Sequence, residues 1–279
     1  MKTVLVLALG EIREGLRNRW IAASIVLLAT LAFALSALGS APMGTVNANA
    51  LAVSVASLSS LSVYLLPLIA LMLSFPALVG ELERGTLLLL LTYPVARWQI
   101  VVGKFIGHLA ILLLAVCVGY GVPAIVTGVQ GQAEGLDAWV GWQSYLAMMG
   151  SSVLLGAAFI ALGYVVSASV RERATAAGLA IGVWLVFVVL YDIGLLGLLL
   201  SDADQRISPE LFSGLMLVNP TDAYRIFNLM GSDGTSLVSG LAGLAQQVHL
   251  GTALPLAVMA LWVAAPLAAA TAVFYRREV

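Results

Sequence analysis

Residues 20–80 contain no Asp, Glu, Lys or Arg. A water-facing fold does not leave a run of that length uncharged, because soluble chains carry about 25% charged residues. Across the whole chain the charged fraction is 10% and the hydrophobic fraction 61%. The same figures exclude disorder, which needs low hydrophobicity. The reading is an all-α polytopic membrane protein folded as one domain over residues 1–279.

A helix needs about 20 apolar residues to cross a bilayer. The opening run is therefore too long for one span, and SAPMGTVNAN at 40–49 divides it. Further charge-free runs cover 105–133, 138–170, 174–191 and 252–275. Six spans follow, near 21–39, 58–79, 105–127, 145–168, 174–200 and 252–275. Pro67, Pro76, Pro123, Pro255 and Pro266 fall in or beside them, where a missing amide donor predicts kinks. The N-terminal stretch MKTVLVLALGEIREG imitates a signal peptide, but Glu11 and Arg13 arrive without a small-residue cleavage site, so it reads as retained.

Cationic residues set the orientation. With both termini cytoplasmic, Lys2, Arg13, Arg17, Arg19, Arg84, Arg97, Lys104, Arg171, Arg173, Arg276 and Arg277 lie inside. Only Arg206 and Arg225 of the 13 lysines and arginines lie outside. Trp20, Trp98 and Tyr275 then mark inner span ends, and Trp139, Trp142, Tyr145 and Tyr191 outer ones. A net charge of −1 offers no field for nucleic acid.

Three segments are not spans. In residues 3–19, Leu5, Leu9, Ile12, Leu16 and Trp20 share one helical face, as in a helix lying in the membrane interface. The second is residues 80–104. Only 12 uncharged residues separate Arg84 from Arg97, too few to span, yet Leu87, Leu88, Leu89, Leu90 and Leu91 cluster there. An apolar patch beside water awaits a partner. Glu81 and Glu83 suit the first turn of one helix over 80–93, and Pro94 ends it. The third is the cap, 201–250. Asn219–Pro220–Thr221–Asp222 starts a helix that Gly231 stops, and a second helix is expected near 236–249. These short outer helices read as interfacial or re-entrant. Asp222 and Arg225 stand three apart and can pair on a helix surface, worth about 0.2–0.5 kcal/mol. A docking face for an outer protein is expected around Asn219, Pro220, Thr221, Asp222, Tyr224 and Arg225.

Catalytic signatures are absent. The Gly103–Lys104 pair is followed by Phe105, so it is no phosphate loop, and neither HExxH nor GxSxG occurs. The lone Cys117 excludes paired-cysteine motifs. The spans lack the buried acids and lysines that mark ion-driven carriers. Asp192 is the exception, placed by helical rise near the outer interface, where water would solvate it. The chain should hold no cofactor and hydrolyse no ATP alone. Met43, Met148, Met149, Met216, Met230 and His249 map to the outer side and are candidate copper(I) ligands, although methionine is also ordinary apolar filler.

Six spans, an amphipathic first helix and a cytosolic docking segment together resemble the membrane subunit of type-2 ABC transporters. The family's Glu-x-x-x-Gly-Thr-Leu segment, followed by Pro, Arg and Gly-Lys, stands here as Glu81, Gly85, Thr86 and Leu87, then Pro94, Arg97, Gly103 and Lys104. The resemblance implies a homodimer and a separate cytosolic ATPase that binds ATP and magnesium. It makes Glu81, Glu83, Arg84, Gly85, Thr86, the five leucines, Pro94 and Arg97 the ATPase-docking residues of a coupling helix. GEIREGLRNRW at 10–20 and NPTDAYR at 219–225 further resemble the permeases of nitrous-oxide-reductase maturation transporters. That narrower likeness implies a bacterial inner membrane, a periplasmic β-helix partner, a copper-chaperone partner and a role in supplying the reductase's copper–sulfide centre. A conventional exporter of lipid, glycan or drug, and a scaffold without energy coupling, stay open on the residues alone.

Overall fold

The computed structural model describes residues 2–39, 50–130, 136–201, 208–230 and 251–277. Among them there is no strand. The helices are α1 (Lys2–Arg17), α2 (Arg19–Gly39), α3 (Ala50–Ser74), α4 (Val79–Glu83), α5 (Thr86–Thr92), α6 (Arg97–Gln130) and α7 (Leu136–Ser169). They continue as α8 (Arg173–Leu185), a π-turn (Val186–Leu190), α9 (Tyr191–Ser201), α10 (Pro209–Val218), α11 (Pro220–Met230) and α12 (Ala253–Arg276).

Five segments are long and apolar enough to cross a membrane: Ser54–Glu83, Arg97–Ile125, Trp139–Ser169, Arg173–Ser201 and Ala253–Arg276. Helix α2, where the sixth span is expected, is long and apolar enough only when taken together with α1, and the two meet at a 70° bend. The first three segments are 61% buried in their most apolar stretch, against 11% for Arg173–Ser201 and 17% for Ala253–Arg276. The first group therefore forms the protein-packed centre, and the last two stand at its edge. Helix α7 is the hub, packed against α3, α6, α11 and α12.

Helices α6 and α7 have 34 residues each. At about 1.5 Å per residue they run about 50 Å, well beyond a hydrocarbon core of about 30 Å. They can thus carry polar residues past both ends of the apolar slab. We call the end holding Lys2, Arg84, Arg97 and Arg277 the basic end, and the other the cap end.

Helix α1 lies on α6 at the basic end. The contact is close because Gly107 has no side chain: a Cβ there would meet Glu11 Cβ at 2.5 Å and the Ala8 carbonyl at 2.8 Å. Leu5, Leu9 and Leu16, on the other side of α1, stay exposed, as an interfacial helix facing lipid requires. Ala8 and Gly15 are its buried positions. Glycine spacing in α6 thus serves a contact within the chain, and it brings the Glu11 carboxylate onto α6.

One sequence-based expectation is corrected here, and one helix is new. The 80–93 segment is two helices rather than one, because Gly85 takes a left-handed φ of +70° between α4 and α5. Only glycine adopts that conformation without strain. In the cap, the helix at 209–218 was not foreseen, although Ser208–Pro209 is a start signal: the Ser208 hydroxyl accepts the Leu211 amide at 3.2 Å, with proline in the first turn. The helix expected near 236–249 lies outside the described residues.

Candidate functional site

At the basic end, the α4–α5 segment is built into the molecule rather than laid on it. The amides of Leu78 and Val79, at the start of α4, both donate to the Ser167 hydroxyl of α7, at 2.9 and 3.1 Å. Glu81 reaches inward, with Oε1 2.7 Å from Lys104 Nζ. Lys104 also binds Glu11 of α1. His108, one turn further along α6, places Nε2 3.2 Å from Glu11 Oε2 and Nδ1 2.7 Å from the Tyr164 hydroxyl. Four helices, α1, α4, α6 and α7, therefore meet in one charged knot. The Lys104 side chain is 4% exposed, so this knot is an interior feature. Burial would raise the Glu11 carboxyl, but the hydrogen bond with His108 and the charge of Lys104 outweigh it and hold it at about 2. Glu81 Oε2 is buried with no hydrogen-bond partner. A cavity of about 160 Å³ adjoins the knot, between Gly15, Asn18, Pro76, Arg84 and Arg173.

The docking residues read from sequence divide accordingly. Glu81 is no surface residue. Glu83 accepts the Arg173 amide at 2.5 Å and so caps the start of α8, where the helix dipole favours an anion. Arg84 is exposed, 3.9 Å from Glu14. Gly85 makes the break, and Thr86 returns its hydroxyl to the Glu81 carbonyl at 3.2 Å. The leucine run is not one patch. Each helical residue turns about 100°, so five in a row face every way. Leu87 is buried, Leu90 packs partly against the core and Leu89 is 65% exposed. Tyr93 follows at 68% exposed, with Pro94 exposed beside it. The side chains of Leu88 and Leu91 lie outside the described set. Arg97 turns away from this face, onto the end of α12.

At the cap end, the NPTDAYR segment is an inward staple. The π-turn loosens the backbone ladder of the Arg173–Ser201 segment, and the Phe187 carbonyl within it accepts two donors. These are Asn219 Nδ2 at 2.8 Å and the Thr221 hydroxyl at 3.2 Å. Asn219 Oδ1 also accepts the Thr221 amide at 3.1 Å, and its Nδ2 reaches Asp222 Oδ2 at 3.0 Å. Arg225 then bridges Asp222 and Asp192, 2.7 Å to each. One turn deeper, Tyr224 bonds the Ser152 hydroxyl at 2.9 Å, and Asn228 bonds Ser151 at 3.1 Å.

The docking face expected around Asn219, Thr221, Asp222 and Tyr224 is thereby corrected. All four side chains are buried within the chain, as is Pro220, so they hold α11 to α7 and the π-turn. Arg225 is the partly exposed member. Asp192 is likewise not solvated alone, as its position suggested, but ion-paired. Tyr145, expected at an outer interface, is buried and donates to the Tyr120 carbonyl at 2.7 Å. Of the copper candidates, Met148 and Met216 are buried in the apolar core and Met149 packs against it. The Met230 side chain, Met43 and His249 lie outside the described set. Among the described residues no group of three His, Cys, Asp or Glu is placed to hold a metal ion.

Burial pushes the Asp222 carboxyl up to about 7; Arg225 opposes this, and the charge of Asp192 adds to it. Because the folded state binds this proton more tightly than the unfolded state, the associated stability is full at low pH and is lost as pH rises through about 7. The melting temperature of the purified chain should therefore fall between pH 5.5 and pH 8, and Asp222→Asn should flatten that slope. An identical slope in the variant would contradict the assignment.

The pattern of the family described as "ABC-2 family transporter protein" matches residues 5–279. A protein of Stutzerimonas stutzeri named "Probable ABC transporter permease protein NosY" is 42% identical over 277 residues, 99% of each chain. One of the same name from Pseudomonas aeruginosa is 41% identical over 279 residues, the full length of both. An all-α, multi-pass architecture, a family pattern that runs through nearly all of it and relatives aligned end to end agree: the chain belongs to the ABC-2 family of transporter proteins, as a transmembrane permease.

Proposed function

We propose that this chain is the membrane half of a machine in which a cytosolic ATPase acts, through the spans, on maturation of a periplasmic copper enzyme. A permease is not itself the hydrolase, so ATP and magnesium belong to the partner chain. The basic end faces the cytosol, both termini included, and two copies of the chain work together. The observation that carries the reading is α5. The left-handed Gly85 turns this helix away from α4, Leu87 roots it in the core, and Leu89 and Tyr93 stand out, 65% and 68% exposed. Leu89 on this short anchored helix and Tyr93 just past its end are apolar surface that a docked partner would cover. The copper assignment rests on the resemblance of residues 10–20 and 219–225 and on the name that both relatives carry. Maturation of the copper–sulfide centre of nitrous oxide reductase, with a β-helix protein and a copper chaperone outside, is the outcome that likeness supports.

Leu89→Asp tests the docking face. The side chain meets solvent in the free chain, so folding should be unaffected. Placed in an apolar contact, an unpaired carboxylate costs several kcal/mol. Association with the ATPase should weaken at least tenfold, which needs only about 1.4 kcal/mol. Undiminished co-purification of the ATPase with the variant would refute the placement.

A further inference from the structure

Arg97 stands at the corner where the docking segment becomes α6, and it binds the far end of the chain. Its Nη1 is 2.9 Å from the carbonyl oxygens of Phe274 and Tyr275 and 2.8 Å from that of Arg277. Its guanidinium also lies 5.7 Å from the centre of the Phe274 ring. These belong to the C-terminal end of α12, where carbonyls lack intrahelical partners and the helix dipole favours a cation. Arg277 repeats the device one helix further. It donates to the carbonyls of Ala168 at 3.1 Å, Ser167 at 3.4 Å and Val170. Those carbonyls end α7. The Ser167 hydroxyl in turn holds the first amides of α4.

The contacts close a ring at the basic end: α4 to α7, α7 to α12 through Arg277, and α12 back to the α5–α6 corner through Arg97. A displacement of α5 must pull α12 and α7 with it or break charged hydrogen bonds, which are the stronger kind. Helices α7 and α12 both pack against α11, so motion of their ends has a direct route to the cap.

We propose that Arg97 and Arg277 are positioning residues of a C-terminal clamp that carries the displacement of the docking helix to α12 and α7, and so to the cap. The proposal rests on the reading of α5 as the ATPase-docking helix. It moves Arg97 from the docking surface to transmission behind it.

The test uses the full complex with its ATPase in lipid nanodiscs. A reporter cysteine replaces the exposed Leu211 of α10 in a Cys117→Ser background. The wild-type complex should label at different rates without nucleotide and after vanadate trapping. In Arg97→Gln and in Arg277→Gln the ATPase should still co-purify, but the rate difference should shrink at least fivefold. Arg97→Lys keeps the charge without the planar fork and should recover part of it. Only a coupling role predicts loss of the nucleotide response with the complex intact. A full response in either glutamine variant would overturn the clamp while leaving the docking reading untouched. Loss of the ATPase from Arg97→Gln alone would return Arg97 to the docking surface. A wild-type chain that never binds the ATPase would overturn both readings, and a bound complex with no nucleotide response would overturn the clamp.

Discussion

Lys104→Met should be the most damaging single substitution in the chain. It removes the cation from a buried knot and leaves Glu11 and Glu81 facing each other, with the Glu81 Oε2 atom already lacking a partner. Breaking a buried pair from one side costs about 3–5 kcal/mol. A domain has about 5–15 kcal/mol of stability in total, so little folded protein should survive extraction. Size-exclusion yield and melting temperature in detergent report this. Lys104→Met combined with Glu11→Gln and Glu81→Gln removes all three charges and should recover most of the loss, as apolar or neutral replacements of whole ion groups generally do. The exposed Arg84–Glu14 pair is the control. At 3.9 Å, with both side chains more than half exposed, its loss through Glu14→Ala should move the melting temperature very little. A Lys104→Met protein as stable as the Glu14→Ala protein would show that the knot holds nothing together.

Arg225→Ala should have the second largest effect, and a local one. Asp192 and Asp222 then share a site with no counter-charge, while Asn219 and Thr221 alone hold α11 to the π-turn. The cost should be about 3 kcal/mol, the low end for a broken buried pair, because roughly a fifth of the Arg225 and Asp192 side chains meets solvent. Hydrogen exchange should show α10 and α11 losing protection while α3, α6 and α7 keep theirs. Unchanged protection of α11 would mean that the staple is redundant. Full recovery is expected only when Asp192→Asn and Asp222→Asn accompany the change.

The sequence disclosed most about what one helix does alone and least about what two helices do together. Hydropathy pointed to an all-α chain with several membrane-spanning segments, because apolar length is a local property. The residues 80–93 misled for a conformational reason. Glu81 and Thr86 read as one helix until Gly85 is seen at positive φ, and a glycine in a leucine-rich stretch does not announce that angle. The charged knot was hidden by distance along the chain. Lys104 pairs with Glu11, 93 positions away, and each partner taken singly suited an interface location. The NPTDAYR segment misled because its polar residues suit a surface helix start as well as an interior staple. What decides between them is the Phe187 carbonyl in a π-turn 32 positions earlier, which spacing and composition do not reveal. Arg97 was legible as part of a family segment, but its partners at the C-terminus were not.

Cells that carry the ATPase and the reductase but lack this chain supply the most direct measurement. The reductase is purified from their periplasm, and its copper content and visible spectrum are recorded. Full-length reductase without the copper–sulfide centre is expected, restored by the wild-type chain and not by Leu89→Asp. A centre assembled to normal occupancy in the absence of the chain would contradict the account.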